Sequence, residues 1–222
     1  ALFIQKPSNL GYDDTGYDLP ELEVRYHKLG RPPELTEEKD GQLKMFHDAA
    51  QGLSEAAREK RDSIAARMKK AKEIVDAAPD DHFIIWHDLE DERKAIKQAL
   101  PEAREIYGSQ DMDVRERNTI DFSDGKFRIL ATKKELSGSG CNFQRHCHRM
   151  IFLGIDYEFN DFIQAIHRCH RFLQPHKVIV DIIYMDSEQE ILKVLQHKWT
   201  QYNHLTQKMA EIIKEYGLGG AN

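Results

Sequence analysis

The spacing of apolar positions changes several times along this chain, and each change marks an element. Leu22, Val24 and Tyr26 alternate with polar residues, the period of a short strand. Residues 41–53 suit a short helix, and Ser54 caps a long one that runs to about Ala77. Ile64, Met68, Ala71 and Val75 form its stripe, and Ala78-Pro79-Asp80 closes it. The opposite face, from Arg58 through Glu73, is dense in charge and reads as solvated. From residue 82 the texture changes. His82-Phe83-Ile84-Ile85-Trp86 is a compact apolar run, as expected of a strand buried on both faces. Further strands fall near Arg104–Tyr107, Arg128–Thr132, Met150–Leu153 and Lys177–Tyr184.

Helix signals fill the gaps. Asp88 and Asp91 introduce a helix over about 89–100. Asp113 with Glu116 introduces another, ended by Asp124-Gly125. Asn160 precedes a third that carries the octad Gln164-Ala165-Ile166-His167-Arg168-Cys169-His170-Arg171. Ser187 with Glu190 opens a long final helix striped by Leu195, Trp199, Tyr202, Leu205, Met209, Ile212 and Tyr216.

Strands alternating with helices from 82 to 184 predict an α/β fold, a parallel sheet flanked by helices. Three parts follow. Residues 1–80 form an irregular and helical N-terminal extension or interlobe insertion. Residues 81–186 form the α/β lobe. Residues 187–222 form a C-terminal helix packing on the lobe or on a neighbour.

Ligands of such sheets sit beyond the carboxyl ends of the strands. Two segments lie there. One is the loop from Thr132 to Arg145, in which Gly138 and Gly140 permit close backbone approach, and Ser and Gly N–H groups with Lys133 suit a phosphate. The other is the octad. As a helix it sets Arg168 and Arg171 on one face, two guanidiniums suited to phosphate oxygens. On spacing alone a solvated basic face is the better reading, since charge runs are usually solvated faces.

Composition limits the choices. The chain has 222 residues, 40% hydrophobic and 32% charged, enough for a sizeable core. Its net charge of −6 argues against a free-standing nucleic-acid binder, so any such contact is local or shared with another domain. No run is apolar enough to span a membrane, and no signal peptide is visible. The start without Met suggests a fragment. Cys141, Cys147 and Cys169 make no disulfide framework, so an intracellular, cytoplasmic setting is expected. No Gly-Lys-Ser/Thr phosphate loop occurs anywhere.

The residues from His82 to Gln174 resemble the second RecA-like lobe of superfamily-two helicases, most nearly the Swi/Snf-like branch of DNA translocases. Gln164, Ala165, Arg168, His170, Arg171 and Gln174 match its sixth motif. His167 stands where Asp is usual, and Leu173 where Gly is frequent. Thr132, Gly138, Gly140 and Asn142 match its fifth motif, in a loop about two residues longer. Tyr107-Gly108-Ser109 with Arg115, Arg117, Phe122 and Gly125 resembles the segment before it, and His82–Trp86 takes the place of motif four. Lys6–Tyr12, Trp86–Arg93 and Gly140–Arg145 are similar to bacterial and phage helicases associated with DNA methylases or restriction systems.

The resemblance implies half of an ATP-driven motor. The missing first lobe would hold most of the ATP and Mg2+. Arg171, with Arg168 beside it, would act as the arginine finger, and Gln164, Gly138 and Gly140 would border the nucleotide. Thr132, Lys133, Ser139, Asn142, Gln144 and Arg145 would touch DNA, double-stranded by resemblance. Partners would be the first lobe and methylase or restriction subunits. The chain alone would be inactive. The alternative is a catalytically silent lobe that serves as a protein- or DNA-docking scaffold.

Two other chemistries fit less well. Cys141, His146, Cys147, His148, His167, Cys169 and His170 are soft ligands, but their spacing matches no common zinc finger, and no metal is expected. Asp88, Glu90, Asp91 and Glu92 crowd a helix start, where acids favour the dipole, rather than a nuclease centre. Asp13, Asp14 and Asp18 read as an exposed acidic turn.

Overall fold

The computed structural model describes residue 13 and residues 18–30, 63–136 and 142–216. The helix expected over 41–53 and the start of the helix after Ser54 lie outside the described residues.

Among the described residues six strands form one sheet: β1 (Leu22–Leu29), β2 (His82–Trp86), β3 (Arg104–Ile106), β4 (Ile129–Thr132), β5 (Cys147–Phe152) and β6 (Val178–Met185). Their order is β1-β6-β5-β2-β4-β3, and every pairing is parallel. The helices are α1 (Ile64–Asp76), α2 (Glu90–Ala99), α3 (Met112–Ser123), α4 (Phe159–Ile166) and α5 (Gln189–Tyr216). The α/β fold expected from the alternation of strands and helices is therefore present.

Burial explains the apolar runs. Ile85, Phe83, Ala131, Ile151 and Ile183 meet Met68 and Val75 of α1, Ile96 of α2 and Leu100 just past it on one face. Ile84, Trp86, Leu130, Phe152 and Val180 meet Phe122, Phe162, Ile166, Leu192 and Leu195 of α3, α4 and α5 on the other. Each fully buried side chain of this size contributes about 1.5–3 kcal/mol, so a polar replacement at Phe83, Ile84 or Ile85 loses that stabilisation on either face of β2.

The segment expected as an extension contributes directly to this sheet. β1 is longer than the predicted alternation and pairs with β6 from Leu22↔Val178 to Leu29↔Met185. Asp181, 1% exposed in the middle of β6, meets flanking strands on both sides. Its Oδ1 lies 2.7 Å from His27 Nε2 and its Oδ2 lies 3.5 Å from Arg149 Nη2. A buried carboxylate needs such partners, so this pairing favours β1 over any other neighbour for β6.

α1 departs from expectation at Arg67. The charged face was read as solvated, yet Arg67 is 1% exposed. Its guanidinium donates to Ser63 Oγ, to the carbonyls of Leu153 and Ile183 at 2.7 and 3.2 Å, and to Glu188 at 2.8 Å. Those carbonyls lie just past β5 and within the end of β6, where the sheet's own ladder leaves acceptors over.

Besides α4, which starts at Phe159 behind Glu158 so that Asn160 lies inside the helix and does not cap it, three helix starts differ in detail. At α2 the Glu92 carboxylate, not Asp88 or Asp91, accepts the backbone N–H groups of Asp88 and Leu89, at 2.8 and 2.9 Å. At α3 the cap is Asp111, which accepts from Asp113 and Val114. Before α5 a 3-10 turn, Asp186–Glu188, replaces the expected Ser187 cap, and Glu188 accepts the N–H of Met185 at 2.7 Å. In each case a carboxylate reaches amides that a helix start leaves unpaired. The first part of α5 packs on the lobe through Ile191, Leu192 and Leu195, whereas Leu205 and Ile212 are exposed.

Candidate functional site

The carboxyl ends of β2, β4 and β5 release three loops on the same edge. Asp88 follows β2, Lys133 and Lys134 follow β4, and Asp156 follows β5. Lys134 is buried between the other two loops, 3.1 Å from Asp88 and 2.5 Å from Asp156. Burial lowers its pKa, but the two carboxylates outweigh burial and hold it above the usual lysine value. Lys134 therefore clasps the edge together. Beside it the buried His87 imidazole is pushed down to about 4, chiefly by burial, with Asp88 opposing and Lys133 adding to the fall.

The octad is not one helix. α4 ends at Ile166 with His167 as its C-cap. The chain then tightens: Arg168 N–H bonds Ala165 O and Cys169 N–H bonds Ile166 O, both at 3.2 Å. Arg168 and Arg171 thus stand on a turn, not on a helix face. Tertiary contacts hold the carbonyls that would continue the helix. Arg168 O accepts from Phe143 N–H at 3.3 Å, and Cys169 O accepts from Gln174 Nε2 at 3.5 Å. The same amide of Gln174 donates to Cys147 O at 2.9 Å, pinning the turn to β5. Leu173 follows with φ of 64°, a left-handed conformation that favours Gly.

Cys169 is buried, as expected for a residue replacing an apolar one, and burial raises its thiol pKa. His170 Nε2–H donates to Pro20 O at 3.0 Å. The His167 ring lies 6.2 Å from that of Tyr202 on α5. Burial, then the charges of His170 and Arg171, push His167 down to about 4.

Arg171 is exposed and Arg168 half-buried; Gln164 is exposed. Arg171 Nη1 donates to Oδ1 of Asn142, so the two segments singled out in the sequence meet side chain to side chain. Phe143, 1% exposed, anchors the loop against Phe122, with ring centroids 5.2 Å apart. Of the other loop residues, Thr132 is buried in β4 and Lys133 is half-buried. Gln144 is half-buried and Arg145 exposed. Gly138, Ser139 and Gly140 lie outside the described residues, as does Cys141. Sequence reasoning missed Lys134, Asp88 and Asp156 as a group; Lys134 was simply one of two adjacent lysines.

Among the described residues no three His, Cys, Asp or Glu side chains converge as a metal site, and no helix is long and apolar enough to cross a membrane.

No protein-family model and no curated protein sequence matches the chain. Solved structures do. The C-terminal domain of the DEAD-box protein Dbp5 superposes with a TM-score of 0.52 at 16% identity, over 66% of this chain and 91% of that one. The C-terminal part of the Fun30 ATPase domain also gives 0.52 at 16% identity, over 58% of this chain. The matched region spans 44% of that Fun30 chain. The fold is thus the RecA-like fold of helicase C-terminal lobes.

Proposed function

We propose that this chain is the second lobe of an ATP-dependent DNA helicase or translocase, contributing one side of an ATP site shared with a first RecA-like lobe. The observation that carries this is the meeting of Arg171 with Asn142 beside the start of β5, at the amino edge of the parallel sheet and not at the carboxyl edge expected of the octad. It brings an exposed guanidinium and a polar loop side chain together on one surface, the two segments that match the sixth and fifth motifs.

ATP, with Mg2+ held mainly by the first lobe, supplies the transferable phosphoryl group. The exposed guanidinium of Arg171 neutralises charge on its oxygens, with Arg168 beside it. Gln164, exposed one turn before the arginines, contacts the nucleotide edge, together with the Gly138 and Gly140 backbone. Lys133, Ser139, Gln144 and Arg145 hold the DNA backbone, and Thr132 shapes the loop from within β4. Duplex DNA as the track, and methylase or restriction subunits as companions in the cytoplasm, extend the same proposal. So does the division into a 1–80 extension, an 81–186 lobe and a 187–222 helix.

The test is Arg171→Ala in the polypeptide that carries both lobes. DNA-stimulated ATP turnover falls about 10³-fold or more while DNA affinity stays within a few-fold. Turnover at the wild-type level identifies the lobe instead as a silent scaffold.

A further inference from the structure

We infer that Asn142 is a positioning residue for Arg171, and not a ligand of the DNA backbone. The inference rests on the shared ATP site proposed above.

Both ends of the contact have fixed backbones. On the loop side, Phe143 is buried, and its carbonyl accepts the N–H groups of His146 and Cys147 at 3.3 and 2.9 Å. Asn142 therefore leaves a rigid anchor. On the other side, Arg171 N–H bonds Cys169 O at 3.0 Å, and Gln174 holds that same carbonyl. The Phe143–Arg168 backbone bond then ties the two segments to one another. What remains free is the long arginine side chain, which is exposed. A flexible side chain on a fixed base samples many rotamers unless something selects one. The Asn142 amide oxygen selects it.

The partner's chemistry suits this task. A carboxylate there would orient the guanidinium but also compensate its charge. An amide oxygen is neutral, so the full positive charge stays available to phosphate. It occupies Nη1 and leaves the other guanidinium donors to point elsewhere. A group that must meet phosphoryl oxygens at a set distance gains rate from being held in place beforehand. An Asn bound to DNA phosphate, by contrast, would present its NH2 group, whereas here its oxygen is the atom engaged.

Two measurements test this. In 15N spectra of the chain alone, hindered Cζ–Nη rotation separates the Arg171 Nη signals in the wild type, and Asn142→Ala averages them. Identical spectra overturn the contact. In the polypeptide with both lobes, Asn142→Ala lowers kcat roughly ten- to a hundredfold with KM for ATP within about twofold. It leaves duplex affinity unchanged and adds no loss to Arg171→Ala. Asn142→Ser, which keeps a short acceptor, recovers part of kcat and guards against a folding defect in the alanine variant. Weakened duplex binding with unchanged kcat at saturating DNA overturns the inference, as does an additive double variant. Loss of turnover in Arg171→Ala alone, with Asn142→Ala active, removes this inference and leaves the shared site standing.

Discussion

The guanidinium of Arg67 lies 2.8 Å from the carboxylate of Glu188, and both are buried, 121 residues apart in the chain. Glu188 also accepts the Met185 amide, so the pair joins α1, the end of β6 and the approach to α5. Removing one member leaves the other charged and unsolvated. Arg67→Ala should cost about 3–5 kcal/mol, read as a lower urea midpoint with unchanged slope. The double variant Arg67→Met with Glu188→Leu should recover most of that loss. Equal loss in both would mean that the carbonyl contacts, not the ion pair, hold the site.

Leu173 adopts a φ of 64° and is 73% exposed, so its side chain gains little from packing. A left-handed backbone costs a side-chain-bearing residue about 1–2 kcal/mol, part of which glycine's extra unfolded-state freedom takes back. Leu173→Gly is expected to stabilise the chain by about 0.5–1 kcal/mol. A lower melting temperature in the glycine variant would refute it.

His87 and His167 both sit near a pKa of about 4, below the ordinary histidine value, chiefly because burial disfavours the charged ring. Between that value and 6.5 the unfolded chain binds protons that the native chain does not. Stability is therefore full at neutral pH and falls as pH drops through 6.5 toward 4. The loss by pH 5 is about 1–2 kcal/mol for each ring. Urea midpoints measured at pH 7.5 and 5 show this slope, and His167→Gln should make it shallower.

Much of the fold was readable because its cause is local. His82–Trp86 was placed to the residue, since a strand covered on both faces must be apolar throughout. The octad was misplaced as a helix because what ends it is distant. The Phe143 amide and the Gln174 side chain take carbonyls whose fate no helical periodicity reveals. Arg67 looked like every other charge on its face, and only the spare carbonyls at Leu153 and Ile183 single it out. Arg171 and Asn142 were each named from sequence, under different roles. Their contact depends on how a turn after α4 and a loop after β4 come together, which spacing along the chain does not encode. The Lys134 clasp escaped notice for the same reason, because Asp88 and Asp156 come from two other loops.

The pairing of β1 with β6 has a consequence for how the chain reaches its native state. The first strand of the sheet waits for the last, across more than 150 positions, as the His27–Asp181 contact records. Until then β6 has a bare edge, and Asp181 is without its histidine. Pairings that span most of a chain form slowly. Synthesis makes β1 first and β6 last, so β1 emerges long before its proper neighbour exists. In that interval its unpaired edge can be taken by another molecule. Assembly in the cell should therefore be governed by the capture of β1, a step visible in refolding as a late phase that rising protein concentration diverts toward aggregation.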